Sequence, residues 1–180
     1  MEELFATMKA RVLEGMVFHD EMSRYFSFLG LKGYAKCHEY HYADETLGYK
    51  RLSRFYLDHY NKLIPTKPMD RPNVIPDNWY GVNQMKVDRG TKQSSIMKSF
   101  EKWIEWETET LATFSDLKNH ADAVTCSLVD EFIKDVSDEL CTAKRKYMEL
   151  ESIGYDLIAI YSTQDDLCKM YTKKIKKLFF

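Results

Sequence analysis

A chain of 180 residues, 44% hydrophobic and 14% aromatic, is long enough to bury one sizeable core and too apolar to be disordered or collagen-like. Twenty-six basic against 28 acidic side chains leave a net charge of -2, which excludes the positive field that nucleic acid or an anionic membrane selects. Cys37, Cys126, Cys141 and Cys168 are widely spaced with no Cys-x-x-Cys, a pattern of reduced thiols rather than a disulfide framework or zinc knuckle.

The first predicted helix runs from about Glu3 to Leu29. Gly30 and Gly33 then punctuate the chain, and a second helix follows from about Tyr34 to Tyr60. Each spans roughly 27 residues, or roughly 40 Å at 1.5 Å per residue. All four prolines fall between Pro65 and Pro76, in a stretch from about 61 to 93 that also holds Asn73, Asp77, Asn78, Gly81, Asn83 and Gly90. Proline breaks helix interiors, so this stretch reads as one long crossover between two helical blocks. The second block offers helices from about Ser95 to Asn119 and from about Ala123 to Leu150, parted by Asn119-His120-Ala121-Asp122. A last amphipathic segment follows Gly154 and ends in Lys173-Lys174-Ile175-Lys176-Lys177, whose cations suit the negative end of a helix dipole.

The short loops force antiparallel neighbours, whereas the crossover can span the whole bundle and deliver the third helix parallel to the second. The expectation is an all-α protein. Residues 1–153 form an antiparallel four-helix bundle with one long connection at its midpoint, and residues 154–180 form a C-terminal helix packed on it or extending it.

Polar side chains interrupt the apolar stripes near mid-length. On the first helix the stripe Phe5, Met8, Val12, Met22, Phe26 carries His19 inward. A core histidine held by a backbone or tyrosine partner accounts for it as well as a ligand does. The second helix presents His38, His41, Glu45, Gly48 and Leu52 on one face, and His41 and Glu45 lie one turn apart. On the third, Glu107 is the only charged member of the face Phe100, Trp103, Ile104, Leu111, Phe114 and Leu117. A carboxylate buried there must be answered by a metal ion, a tyrosine hydroxyl, a lysine or a proton. On the fourth, Asp135 and Asp138 flank the stripe Phe132, Ile133, Val136 and Leu140. Histidines and carboxylates from four helices at one level are the donor types of a two-ion carboxylate site.

Over about residues 5–140 the chain resembles the ferritin family, mainly bacterial non-haem ferritins. The matching stretches are Asp20-Glu21-Met22-Ser23-Arg24-Tyr25-Phe26-Ser27 through Gly33-Tyr34-Ala35, His41-Tyr42-Ala43-Asp44-Glu45, Trp106-Glu107, and Phe132 to Glu139. The resemblance implies a ferritin-like bundle that binds one or two iron ions and oxidises or stores ferrous iron. It assigns metal roles to Glu45, Glu107 and Asp135 or Asp138, with His19 and His41 as substitute ligands. It departs at Val12, where the family carries a glutamate, and at Gly48, where Glu-x-x-His would place a histidine. The alternative is a structural or interaction protein that keeps the bundle with a degenerate site. Self-association is expected. No leader pattern follows Met1 and no run of about 18 apolar residues occurs, so the expectation is a cytoplasmic protein without membrane or nucleic-acid partners.

Overall fold

A computed structural model describes residues 1–179. Six α-helices follow in order: α1 (Glu2–Phe28), α2 (Lys32–Tyr60), α3 (Arg89–Lys118), α4 (Ala123–Ser152), α5 (Leu157–Ser162) and α6 (Gln164–Phe179). Short 3-10 turns at Asp77–Trp79 and Gln84–Lys86 are the regular structure within the crossover. The four long helices form two hairpins, α1 with α2 and α3 with α4, and no strand occurs among the described residues.

Local chemistry sets the hairpin ends. Gly30 adopts φ +81°, and the backbone N–H groups of Gly30 and Leu31 donate to Ser27 and Phe26 carbonyls at 3.0 and 2.8 Å. This left-handed cap satisfies the last carbonyls of α1 and turns the chain into α2 within three residues. Asp122 caps α4 by accepting from the Thr125 N–H at 2.8 Å.

The third helix starts earlier than its sequence pattern predicts, at Arg89 instead of near Ser95. Asp88 is the reason: its carboxylate accepts from both the N–H and the hydroxyl of Thr91, which outweighs the helix-weakening Gly90. The C-terminal segment also differs, because Thr163 ends α5 before α6 begins.

The crossover climbs along α1. Lys62 and Lys67 pair with Glu2 and Glu3, the Asp70 N–H donates to Glu14, and Arg71 pairs with Glu21. Farther up, Val74 is buried and Trp79 meets the rings of Tyr25 and Phe28. This path takes the chain from the end of α2 back to the opposite end of the bundle, where α3 starts.

The interior has two apolar parts. One gathers Phe18, Met22, Phe26, Phe100 and Trp103 with Leu150, Ile160 and Tyr171, so α5 and α6 complete it. The other gathers Phe5, Met8, Val12, Leu52, Tyr56, Phe114, Leu128 and Phe132. Between them each long helix carries a polar residue, and those residues converge.

Helix α6 lies along α2, and Gly33 is what lets it approach. A Cβ at Gly33 would stand 2.7 Å from both the Gln164 carbonyl oxygen and the Leu167 Cβ. The Gln164 side chain then accepts from the Gly33 and Tyr34 N–H groups at 3.0 and 3.2 Å, capping α2 from 131 residues away.

Candidate metal centre

Four helices contribute to the mid-bundle layer: His19 from α1, His38, His41 and Glu45 from α2, Glu107 from α3 and Glu139 from α4. His19 Nε2 lies 3.6 Å from Glu107 Oε1 and 3.6 Å from Glu139 Oε2. His41 Nδ1 lies 3.0 Å from the same Glu139 oxygen. One donor atom from each of His19, Glu107 and Glu139 fits within a mutual separation of 4.8 Å. Atoms bound at about 2.1 Å to one ion stand about 3.0–3.5 Å apart around it.

Burial makes this closeness costly without a cation. His19 is fully buried and Glu107 is 2% exposed, and Glu139 is only slightly more open. Among the described residues, His19 Nε2 and His41 Nε2 have no hydrogen-bond partner, and His41 Nδ1 and Glu139 Oε2 have none beyond their own 3.0 Å contact. Trp103 Nε1 donates to Glu107 Oε1 at 3.0 Å, so the indole answers part of that carboxylate and leaves the rest of the layer unanswered. Among the described residues neither a tyrosine hydroxyl nor a lysine serves Glu107 in this way, and a proton on the carboxyls is the answer left to the metal-free layer.

Burial, then repulsion from Glu139, pushes the Glu107 carboxyl well above its usual range. Glu139 is raised by burial and by Asp44 and Asp135. Glu45 is raised by burial and by Glu139 and Glu107. His19 is held well below its ordinary value by burial and by His38 and His41. The layer therefore resists charge of either sign on its own groups, and a bound cation would favour the ionised carboxylates and neutral imidazoles together. Imidazole and carboxylate donors, orphaned and convergent, fit a divalent first-row transition ion.

A second tier orients this set. His19 Nδ1 and His38 Nδ1 are 2.9 Å apart, so one must carry the proton they share. For His19 Nε2 to offer a lone pair to a cation, its Nδ1 would carry the shared proton and donate to His38, whose own proton would then sit on Nε2. Phe26 and Trp103 flank the His38 ring and fix its plane. Gly15 makes room for Glu45, since a Cβ there would stand 2.7 Å from Glu45 Oε1. Arg11, lying 3.6 Å above the Trp106 ring, lends its positive field to Glu45 and Glu107.

Of the six residues singled out in the sequence, His19, His41 and Glu107 stand in the convergent group. Glu45 is half-buried beside it and lines a cleft of about 310 Å³ together with Glu139, Asp44 and Asp135. Asp135 pairs with Arg51 at 2.9 Å at the rim of that cleft. Asp138 is exposed, outside the group. The carboxylate that α4 brings to this group is that of Glu139, which sequence reasoning passed over. Helical spacing held the signal: Glu139 follows Phe132 by seven residues and Val136 by three, whereas Asp138 is rotated away from both. His38 shared the inward face of His41 but was not read as a partner of His19.

A humanized archaeal ferritin superposes on the chain with a TM-score of 0.76 and 17% identity, covering 93% of this chain and 94% of that one. The fold is ferritin-like. An Archaeoglobus fulgidus ferritin engineered towards a closed form by site-directed mutagenesis gives a TM-score of 0.75, also at 17% identity and with 93% and 94% coverage. No family model matches the sequence, and no curated protein matches it. No helix among the described residues is long and apolar enough to cross a membrane.

Proposed function

We propose that this ferritin-like chain binds ferrous iron within its bundle, at His19, Glu107 and Glu139 with His41 and Glu45 beside them, and oxidises or stores it. The observation that carries this reading is the set of buried, unpartnered atoms on His19, His41 and Glu139 facing one another across three helices. Leaving such atoms unsatisfied costs about 1–3 kcal/mol each, so their retention at one point favours a ligand there.

The chain's own groups have separable parts to play. Carboxylates from Glu107 and Glu139 favour ferric over ferrous iron by supplying hard anionic oxygen, and the imidazoles of His19 and His41 fix the geometry. Trp103 and His38 hold Glu107 and His19 in orientation. Iron here is substrate or cargo, and each ferrous ion oxidised gives one electron to dioxygen or peroxide. With Val12 and Gly48 at two of the family's ligand positions, the donors favour one ion per chain over a symmetric pair. Self-association belongs to the same reading: a groove between α1 and the crossover, bearing Leu13, Met16, Val17 and Met69, offers an apolar face to a second copy.

Metal analysis of protein grown with supplied iron, beside Glu107→Ala and Glu139→Ala, tests the reading. Near-stoichiometric iron in the wild type that is lost in both variants supports it. Equal trace metal in all three, with unchanged melting, returns the protein to the alternative of a bundle kept for structure or interaction. Sizing by light scattering tests the second copy.

A further inference from the structure

Resting on the iron-binding reading above, we infer that divalent cations reach the bundle interior through a carboxylate-lined passage between α2 and α4, and that Lys174 of α6 guards its mouth. The passage is a cavity of about 190 Å³ lined by Asp44, Asp138 and Glu139, with Asp135, already paired with Arg51, at its side. Its lining includes His41, which is 5% exposed, meets Glu139 through Nδ1 at 3.0 Å and has no partner on Nε2 among the described residues. The same cavity thus runs from an exposed aspartate, Asp138, to a buried imidazole at the polar layer whose Nε2 is unpartnered among the described residues.

The neighbouring cleft shares Asp44, Asp135 and Glu139 but is a poorer way in. Phe114, Phe132, Leu47 and Val136 wall it, and the Arg51 guanidinium lies 4.6 Å over the Phe132 ring while pairing with Glu131 and Asp135. The paired guanidinium occupies that mouth and offsets its carboxylates, which weakens the draw on an incoming cation.

Lys174 differs from Arg51 in being loosely held. It forms no ion pair among the described residues, and its ammonium rests 5.3 and 5.1 Å from the rings of Tyr40 and Tyr171. An exposed lysine beside an acidic cavity, unpaired with its carboxylates, adds a positive field at the mouth that an incoming cation must pass.

The test is stopped-flow binding of cobalt(II) alone, followed by its visible absorption, in Asp138→Asn and Lys174→Glu. Both positions are exposed, so each variant should keep the wild-type melting temperature and final stoichiometry. At about 10 mM ionic strength, Asp138→Asn should slow association about threefold and Lys174→Glu should speed it by a similar factor. Both differences should vanish near about 0.5 M salt. Thr142→Trp, which narrows this mouth, should slow binding at every salt concentration, whereas Leu47→Trp at the other cleft should not. Wild-type rates in both charge variants at low salt, with cobalt still bound stoichiometrically, overturn the passage and leave the metal centre standing. Absence of cobalt from the wild type overturns the metal centre, and the passage with it.

Discussion

The apolar half around Phe5, Met8, Phe114 and Phe132 and the polar layer next to it use the same four helices to opposite ends. In the first, rings close on one another, as in the Phe5–Tyr56 and Phe114–Phe132 contacts with centroids 4.6 and 5.5 Å apart. In the second, about two turns away along each helix, polar side chains turn inward, and those of His19, His41 and Glu139 carry orphaned nitrogens and oxygens. The apolar half is stabilised by what it excludes from water, and the polar layer is tolerated because its neighbours hold it. Stability and site chemistry are therefore carried by adjacent but separate levels of the bundle.

The sharpest way to break this contrast is a cavity. Phe114→Ala should cost about 3–5 kcal/mol in denaturant unfolding, with and without metal, because Phe114 is 2% exposed. If added metal restored that loss, the two levels would not be separate.

Neutralising the layer should do the reverse. Glu107→Gln and Glu139→Gln should each raise the stability of metal-free protein at neutral pH by about 1–3 kcal/mol while abolishing stabilisation by added metal. The sign follows from the raised carboxyls: their contribution is complete below the unfolded value, about 4.3, and is lost as pH rises through the folded one. The depressed His19 acts oppositely, its contribution being present above its unfolded value of about 6.5 and lost as pH falls. Subtracting each variant's stability curve from the wild type's isolates the carboxyl, and the difference should grow with rising pH. A pH-independent difference would point to packing instead.

A finer probe is Gly15→Ala. The new methyl meets the far end of a flexible side chain, so folding should change by less than about 1 kcal/mol. Displacing Glu45 should nevertheless weaken metal affinity about tenfold by calorimetry, comparable to the loss of an outer support. Equal affinity would remove Glu45 from the site.

The smallest effect is expected at His38. His38→Asn should leave metal stoichiometry intact and shift the cobalt(II) absorption bands, because the substitute amide reorients His19 without ligating. An unchanged spectrum would make His38 a packing residue alone.

Much of the architecture was legible because proline and glycine are unambiguous: the Pro65–Pro76 cluster and the Gly30 turn divide the chain where the structure does. The start of α3 was misjudged because Gly90 is visible as a breaker, whereas the cap at Asp88 overrides it only in three dimensions. In the site, His19, His41 and Glu107 were legible as polar residues on apolar stripes. Glu139 was obscured by a run of acidic residues in which only rotation about the helix axis distinguishes the inward one. The His19–His38 contact joins two helices, and no periodicity within either reports it.

The amide of Gln164 performs at the start of α2 the task usually given to a serine or aspartate next door, and this ties the first hairpin to the last helix. During synthesis, Gly33 and Tyr34 must wait for a partner made 131 and 130 residues later. A protein shortened at Thr163 would therefore loosen first at the turn joining α1 to α2, far upstream of the cut.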